Sequence, residues 1–274
     1  MSLVAITRGV AASIGACELT HLERQAIDVN HARAQHRAYE AALERLGCRV
    51  ESLPALDSLP DSVFVEDVAV VLDEIAIVTR PGAESRRPEA AEIAPVLAAY
   101  RTLAFIEPPG TLDGGDVLRL GRRLYVGLSA RSNESGTRQL RELVGPHGYD
   151  VTAVRVESCL HLKSAVTEAA PGVILVNPGW IDPAALGAGR VIEVDPGEPG
   201  AANGLTVAGR LIYPMSFPRT RRKLEDAGIE LVPVDVSELQ KAEGAVTCCS
   251  LILGSDLKTR HRGDGSPSRR DAWA

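Results

Sequence analysis

Aromatic side chains are scarce, 4% of 274 residues, with two tryptophans and three phenylalanines. A protein that reads nucleic-acid strands by stacking bases needs such rings in number, so that class is disfavoured. Positive charge is also short. Thirty Lys and Arg stand against 36 Asp and Glu, a formal net charge of −6. That sign disfavours a nucleic-acid or anionic-membrane partner and suits a cationic ligand. No apolar run approaches the ~20 residues of a membrane span. Residues 1–8 lack the basic segment, long apolar stretch and small-residue cleavage site of a secretory signal. A soluble, cytoplasmic protein is expected. No two of the five cysteines stand as C-x-x-C, which argues against structural zinc or a thioredoxin-type pair. There is no H-x-x-x-H and no glycine-rich phosphate loop, so neither a metal nor a nucleotide cofactor is expected.

What is present can bury a core: 45% of residues are hydrophobic and 24% charged. A motif recurs along the chain: a polar start, two β-rich runs around a short turn, a helical stretch and a final strand. Three copies begin at Glu66-Asp67, at Asp113-Gly-Gly-Asp116 and at Asn203-Gly204. The helical stretches that follow are Glu89 to Tyr100, interrupted at Pro95, then Gly136 to Val144 and Thr220 to Asp226. A fourth, less regular unit starts at His161 and reaches a second strand at Val173 to Asn177. The segment from Asp195 to Gly204 reads as a loop. A fifth is split between the ends: Cys248 to Leu253 pairs with Leu3 to Thr7, followed by a helix around His31 to Leu46 and a strand from Cys48 to Leu53. The starts Asp67, Asp113, His161, Asn203 and Cys248 are 46, 48, 42 and 45 residues apart. Repeats of this kind, set around a closed ring as in a propeller, bring equivalent strand ends together on a central axis. One α/β domain is expected over residues 1–258, with a mobile tail over 259–274.

Residue types at those starts form a chemical set. Cys248 and Cys249 open the last strand in this reading, so one faces the axis and the other a helix. Cys248 beside His161 makes a nucleophile and a proton carrier, because a nearby imidazolium stabilises thiolate. The same grouping of Cys, His and carboxylate also describes a metal site, and each residue alone describes an ordinary strand end. The two glycines between Asp113 and Asp116 permit positive φ and close backbone approach. Adjacent acids Glu66 and Asp67, with Asp61 upstream, can grip a planar cation. Arg86, Arg87 and Arg131 follow the second strands of their hairpins, where an arginine can hold a substrate carboxylate.

Five strings, in this order, resemble the dimethylarginine dimethylaminohydrolases: Phe64-Val-Glu-Asp-Val-Ala-Val-Val71, Thr79-Arg-Pro-Gly-Ala83, Thr111-Leu-Asp-Gly-Gly-Asp-Val-Leu118, His161-Leu-Lys-Ser164 and Thr247-Cys-Cys-Ser250. The resemblance runs from Arg8 to Leu253. It implies a pentein-type five-bladed ββαβ propeller, pseudo-fivefold symmetric, and hydrolysis of methylated arginine to citrulline through a covalent cysteine intermediate. It implies Cys248 as nucleophile, His161 as general acid/base and Asp113 as the acid supporting it. Glu66 and Asp67 would hold the guanidinium and Asp61 would contact substrate. Arg86 and Arg131 would bind the α-carboxylate. Leu19 matches a lid position, and Ala242 a backbone contact near the amino group. The implied partner is a small molecule, with the protein a monomer or homodimer. Arginine deiminases share the scaffold but carry His-x-Asp where this chain has His161-Leu-Lys163. An arginine or agmatine deiminase, or a non-catalytic cation-binding propeller, remain the alternatives.

Overall fold

The computed structural model describes residues 3–187 and 189–254. The expected tail, 259–274, lies outside the described residues. Chain order is β1 (Leu3–Arg8), α1 (Val29–Arg45), β2 (Cys48–Leu53); β3 (Ala69–Val71), β4 (Ile75–Val78), α2 (Arg87–Ala98), β5 (Thr102–Phe105); β6 (Val117–Leu120), β7 (Arg123–Leu128), α3 (Glu134–Val144), β8 (Asp150–Arg155). A one-turn helix α4 (Leu162–Ala165) then precedes β9 (Val166–Ala170), β10 (Val173–Val176) and β11 (Arg190–Glu193). The chain continues with β12 (Leu205–Val207), β13 (Arg210–Pro214), α5 (Pro218–Asp226), β14 (Leu231–Val234), a short α6 (Ser237–Gln240) and β15 (Leu251–Gly254). Among the described residues no helix is long and apolar enough to cross a membrane.

The strands form five three-stranded sheets with one plan. The middle strand pairs antiparallel with one neighbour through a hairpin and parallel with the other through a crossover. The hairpin turns are tight; at Ala208-Gly209 both φ values are positive, 49° and 80°, the geometry of a type I′ turn, where glycine is at home. The fifth sheet follows the plan with chain ends far apart in sequence: β1 is antiparallel to β15, Leu3 opposite Gly254, and parallel to β2.

Three details differ from the sequence reading. Helix α2 runs through Pro95 instead of stopping there. Proline removes the N–H that would reach Ala91, but both residues are exposed, so water can take the freed carbonyl while Ile93 and Leu97 anchor the buried face. The fourth unit has a third strand, β11, reached through a single 3-10 turn at Pro183–Leu186. Finally, Cys248 and Cys249 lie in a turn, and the last strand begins only at Leu251.

Five core clusters fill the spaces between sheets. Val4, Ile6 and Leu251 meet Ala69 and Ala76. Val70 and Ile77 meet Val117 and Val126. Leu118 and Tyr125 meet Val166 and Ile174. Leu175 meets Leu211 and Tyr213, and Ile212 and Val234 meet Ala5 with α1. Each sheet thus shares its apolar faces with two others. Helix α1 starts at Asp28, whose carboxylate accepts from the Asn30 and His31 amides. From α1 the fully buried Tyr39 reaches the turn ahead of β15. Its hydroxyl donates to the Val246 carbonyl at 2.9 Å and lies 2.7 Å from Ser250 Oγ. Tyr39→Phe strands both partners in a dry setting. It is expected to cost about 1–2 kcal/mol and to lower the melting temperature by about 2–8 °C in a circular-dichroism scan.

Candidate active site

A short helical or hairpin-like turn precedes the first strand in four of the units, and these turns carry the polar starts. Val65–Val68 is a 3-10 turn holding Glu66 and Asp67. Gly114–Asp116 is another, entered from Asp113. His161 caps α4, and Cys248 sits in the turn before β15. The turns press together so closely that two glycines are obligatory for contact, not for positive φ. A Cβ on Gly114 would fall 1.9 Å from the Glu66 carbonyl oxygen. One on Gly115 would fall 2.7 Å from both Asp67 Oδ1 and His161 Nδ1. Of the two uses the sequence allows this pair, the structure shows close approach and not positive φ.

His161 is buried between carboxylates. Its Nε2 lies 3.0 Å from Asp113 Oδ2 and its Nδ1 3.7 Å from Asp67 Oδ1. Burial opposes its charge, but Asp67, Asp116 and Asp113 outweigh it and raise the imidazole to about 9. It is an imidazolium at neutral pH. Asp113 is fully buried and its Oδ1 accepts from the Gly82 amide at 2.9 Å. Among the described residues, Asp67, Asp113 and His161 are the group whose ligand atoms converge as a metal site requires, all within 4.8 Å. A proton on the histidine competes with a metal there, and the same carboxylates already accept from Arg86, Gly82 and Gly115.

Cys248 is partly exposed while Cys249 is fully buried beneath it, so the two thiols do face different surroundings. Burial, reinforced by the Glu66 and Asp67 carboxylates, holds the Cys248 thiol well above the usual cysteine range. It rests neutral. Cys248 is tied to the acids through the backbone: its carbonyl accepts from the Glu66 amide at 3.1 Å. The neighbouring Thr247 hydroxyl donates to Glu66 Oε2 at 2.8 Å, and Lys163 Nζ holds Oε1 at 2.5 Å. Each oxygen keeps a second lone pair for another donor.

Arg86 has different partners from those the resemblance implies. It is buried, with Nη1 at 2.5 Å from Asp67 Oδ2 and a two-pronged pair to Glu89 at 3.1 and 2.8 Å. Its Nη2 also donates to the Phe64 carbonyl at 3.1 Å. As placed, its guanidinium holds Asp67 and Glu89. Arg131 is more open to a ligand: Nη2 donates to Thr20 Oγ1 at 3.2 Å, and Nη1 is 3.9 Å from Asp113.

The remaining candidates meet at the loop around Leu19. Asp61 accepts from the Glu18 amide with both oxygens, at 3.3 and 3.1 Å. On the other side Glu243, next to the buried Ala242, accepts from the amides of Thr20 at 3.0 Å and of His21 and Leu22 at 2.5 Å each. Leu19 is thus pinned between two carboxylates. Glu243, Lys163, Thr247 and Asp116 were not among the site residues expected from sequence. Asp116, Lys163 and Thr247 do lie inside the strings that carry the resemblance, but nothing local marks Glu243.

Residues 11–185 match the family described as N,N dimethylarginine dimethylhydrolase, eukaryotic. The N(G),N(G)-dimethylarginine dimethylaminohydrolase of Streptomyces coelicolor is 43% identical over 236 residues, 86% of this chain and 91% of that one. This chain belongs to the dimethylarginine dimethylaminohydrolase family. The Pseudomonas aeruginosa member is 37% identical over 226 residues, 82% of this chain and 89% of its own. A solved structure of the Pseudomonas aeruginosa family member, a cysteine-to-serine mutant complexed with citrulline, superposes with a TM-score of 0.87 at 35% identity, covering 92% of this chain and all of that one. A family structure with histidine replaced by glycine, in an adduct with S-methyl-L-thiocitrulline, gives 0.86 at 36% identity over the same shares. The N-terminal domain of a cyanobacterial arginine dihydrolase shares the fold, with a TM-score of 0.79 at 18% identity, over 92% of this chain and 97% of its own.

Three outcomes test this geometry. Asp113→Asn removes one of the acids holding the imidazolium and is expected to lower the His161 titration midpoint by about one unit in an NMR titration. In the wild type, a folded-state value near 9 against 6.5 for a free histidine means stability that is fully present below pH 6.5 and fades as pH rises through 9. Glu243→Ala releases the loop: amide hydrogen exchange at Thr20, His21 and Leu22 should accelerate about tenfold or more, while the core strands stay protected.

Proposed function

We propose that the protein hydrolyses N-omega-methylated arginine to L-citrulline and dimethylamine or methylamine, with Cys248 as nucleophile and His161 as general acid and base. The observation that carries this is an accessible thiol and a buried imidazolium flanking the same pair of acids, in a member of this family. The guanidinium rests on Asp67 and Glu66, whose free lone pairs match its planar N–H donors. The substrate's far end lies toward Arg131, Asp61 and the loop at Leu19, with Arg86 as a further candidate for the carboxylate.

The thiol rests neutral beside two carboxylates. An arriving guanidinium offsets those charges and favours thiolate, the thiol proton leaving to solvent because His161 is already charged, so the nucleophile is generated by the ligand it attacks. Sulfur bonds to the guanidinium carbon. The carbon–nitrogen bond to the methylated amine breaks, and His161 gives that nitrogen its proton. The resulting S-alkylthiouronium is attacked by water, whose proton returns to His161. The carbon–sulfur bond then breaks, leaving citrulline and the starting thiol. No metal or organic cofactor enters the scheme. Lys163, where deiminases carry an acid, favours the methylarginine reading over arginine or agmatine deimination.

The same reading takes residues 1–258 as one catalytic unit, a five-bladed propeller with pseudo-fivefold symmetry. Its support is twofold. Every core cluster joins two sheets. One cavity of about 230 Å³ touches the first strand of all five, at Val70, Leu118, Thr167, Thr206 and Ile252.

The test is product analysis. Wild type given asymmetric dimethylarginine should release citrulline and dimethylamine, and Cys248→Ser should lose at least about 10³-fold of kcat. Ammonia from unmethylated arginine in preference would move the assignment to a deiminase, and binding without turnover at any pH would remove catalysis. Titration of the thiol should show its midpoint above the ordinary cysteine value in the free protein and a fall when a guanidinium ligand is bound.

A further inference from the structure

One buried carboxylate belongs to none of the roles above. Asp116 is fully buried, with no side-chain surface toward the cleft. Its Oδ1 accepts from the Leu162 amide at 2.9 Å, the first N–H after His161. Its Oδ2 accepts from two hydroxyls, Ser129 and Ser132, each at 2.6 Å. Those hydroxyls are acceptors in turn. Ser132 Oγ takes the Asp113 amide at 3.0 Å, and Ser129 Oγ takes the Arg131 amide at 3.0 Å. One carboxylate therefore ties together the turn bearing His161, the backbone of the acid that touches His161 Nε2, and the backbone of Arg131. Gly127 on β7 makes room for it: a Cβ there would stand 2.8 Å from Asp116 Oδ1 and 2.9 Å from Leu162 Cβ.

We propose that Asp116 is a positioning residue: it fixes His161 against Asp113 and helps keep the imidazole charged, without meeting the substrate. The proposal rests on the reading of His161 as the proton carrier. The titratable groups facing Asp116 are His161 on α4, Asp113 on its own turn and Cys159 just before His161. Burial pushes the Asp116 carboxyl up to about 6, with His161 and the two serine hydroxyls pulling the other way. At neutral pH it is charged. Below about 6 it takes a proton and no longer offers full negative charge to the imidazole. An acid-side loss of kcat then arises from a group that the substrate never touches.

Asp116→Asn keeps the shape and removes the charge. Three changes are expected. The His161 midpoint, read by NMR on isotopically labelled protein, falls by about one unit. The kcat for asymmetric dimethylarginine falls about 10–100-fold, while KM changes less than about threefold. The acid-side fall of kcat near pH 6 flattens, because the variant is already neutral there. A folded Asp116→Asn protein with unchanged midpoint and kcat overturns the proposal. Ser132→Ala is the second arm, cutting the link from Asp116 to the Asp113 amide while leaving both charges. It should lower kcat about tenfold and move the midpoint less than Asp116→Asn does. If Asp116→Asn does not fold, an unchanged kcat and midpoint in Ser132→Ala overturns the proposal instead. A wild type that releases no citrulline strikes the assigned reaction, and the NMR midpoint still decides for or against Asp116.

Discussion

The centre of the molecule depends on confining too many carboxylates in one dry place. Glu66, Asp67, Asp113 and Asp116 are all buried, and the fold gathers them from distant parts of the chain around His161 and Cys248. Buried charges of one sign are costly unless matched. Here the match comes from His161, Arg86 and Lys163, together with backbone amides and hydroxyls. The internal cations hold the acids in place but do not exhaust their lone pairs. In the proposed reaction, that surplus of acceptor sites is what receives a planar cation. The same acids hold the Cys248 thiol above its usual range, so in that reading binding and activation share one electrostatic origin.

This confinement is achieved by bringing backbone turns unusually near one another. The Asp113-Gly-Gly-Asp116 string shows how. Gly114 lies against the Glu66 carbonyl and Gly115 against the His161 ring. Any side chain there would hold the acids apart by the width of a methyl group and more. The two glycines are thus a packing requirement of the charge cluster. The aspartates on either side divide the work: Asp113 meets the imidazole directly, and Asp116 holds the scaffolding behind it.

Much of the fold was legible because its signals are local. Alternating β-branched runs around glycine or polar turns mark hairpins, and their spacing exposed the repeat, including the pairing of β15 with β1. Where the reading failed, a tertiary effect decided. The strand β11 is short and lies at a sheet edge beyond a single 3-10 turn, so neither length nor a helix announced it. Pro95 continues a helix because its lost hydrogen bond faces water. Cys248 and Cys249 look like strand in sequence but form a turn, anchored by Tyr39 from a distant helix. The site divides in the same way. Cys248, His161, Asp113, Glu66 and Asp67 stand at repeat starts and could be picked by type. Lys163 stands in a quoted string, but its long-range contact with Glu66 could not be read there, and no local pattern marks Glu243. For Arg86 the residue could be selected, but its engagement with Asp67 and Glu89 could not.

The sheet that joins β1 to β15 carries a consequence for biosynthesis. The ribosome makes Leu251–Gly254 long after β1, with the other four sheets in between. Until then β1 has an open hydrogen-bonding edge, and the two core clusters that Cys249, Leu251 and Leu253 complete stay unfinished. In the proposed reaction the turn that carries the nucleophile Cys248 arrives in the same event that satisfies that edge. A chain cut ahead of Thr247 loses Cys248 and this closure together.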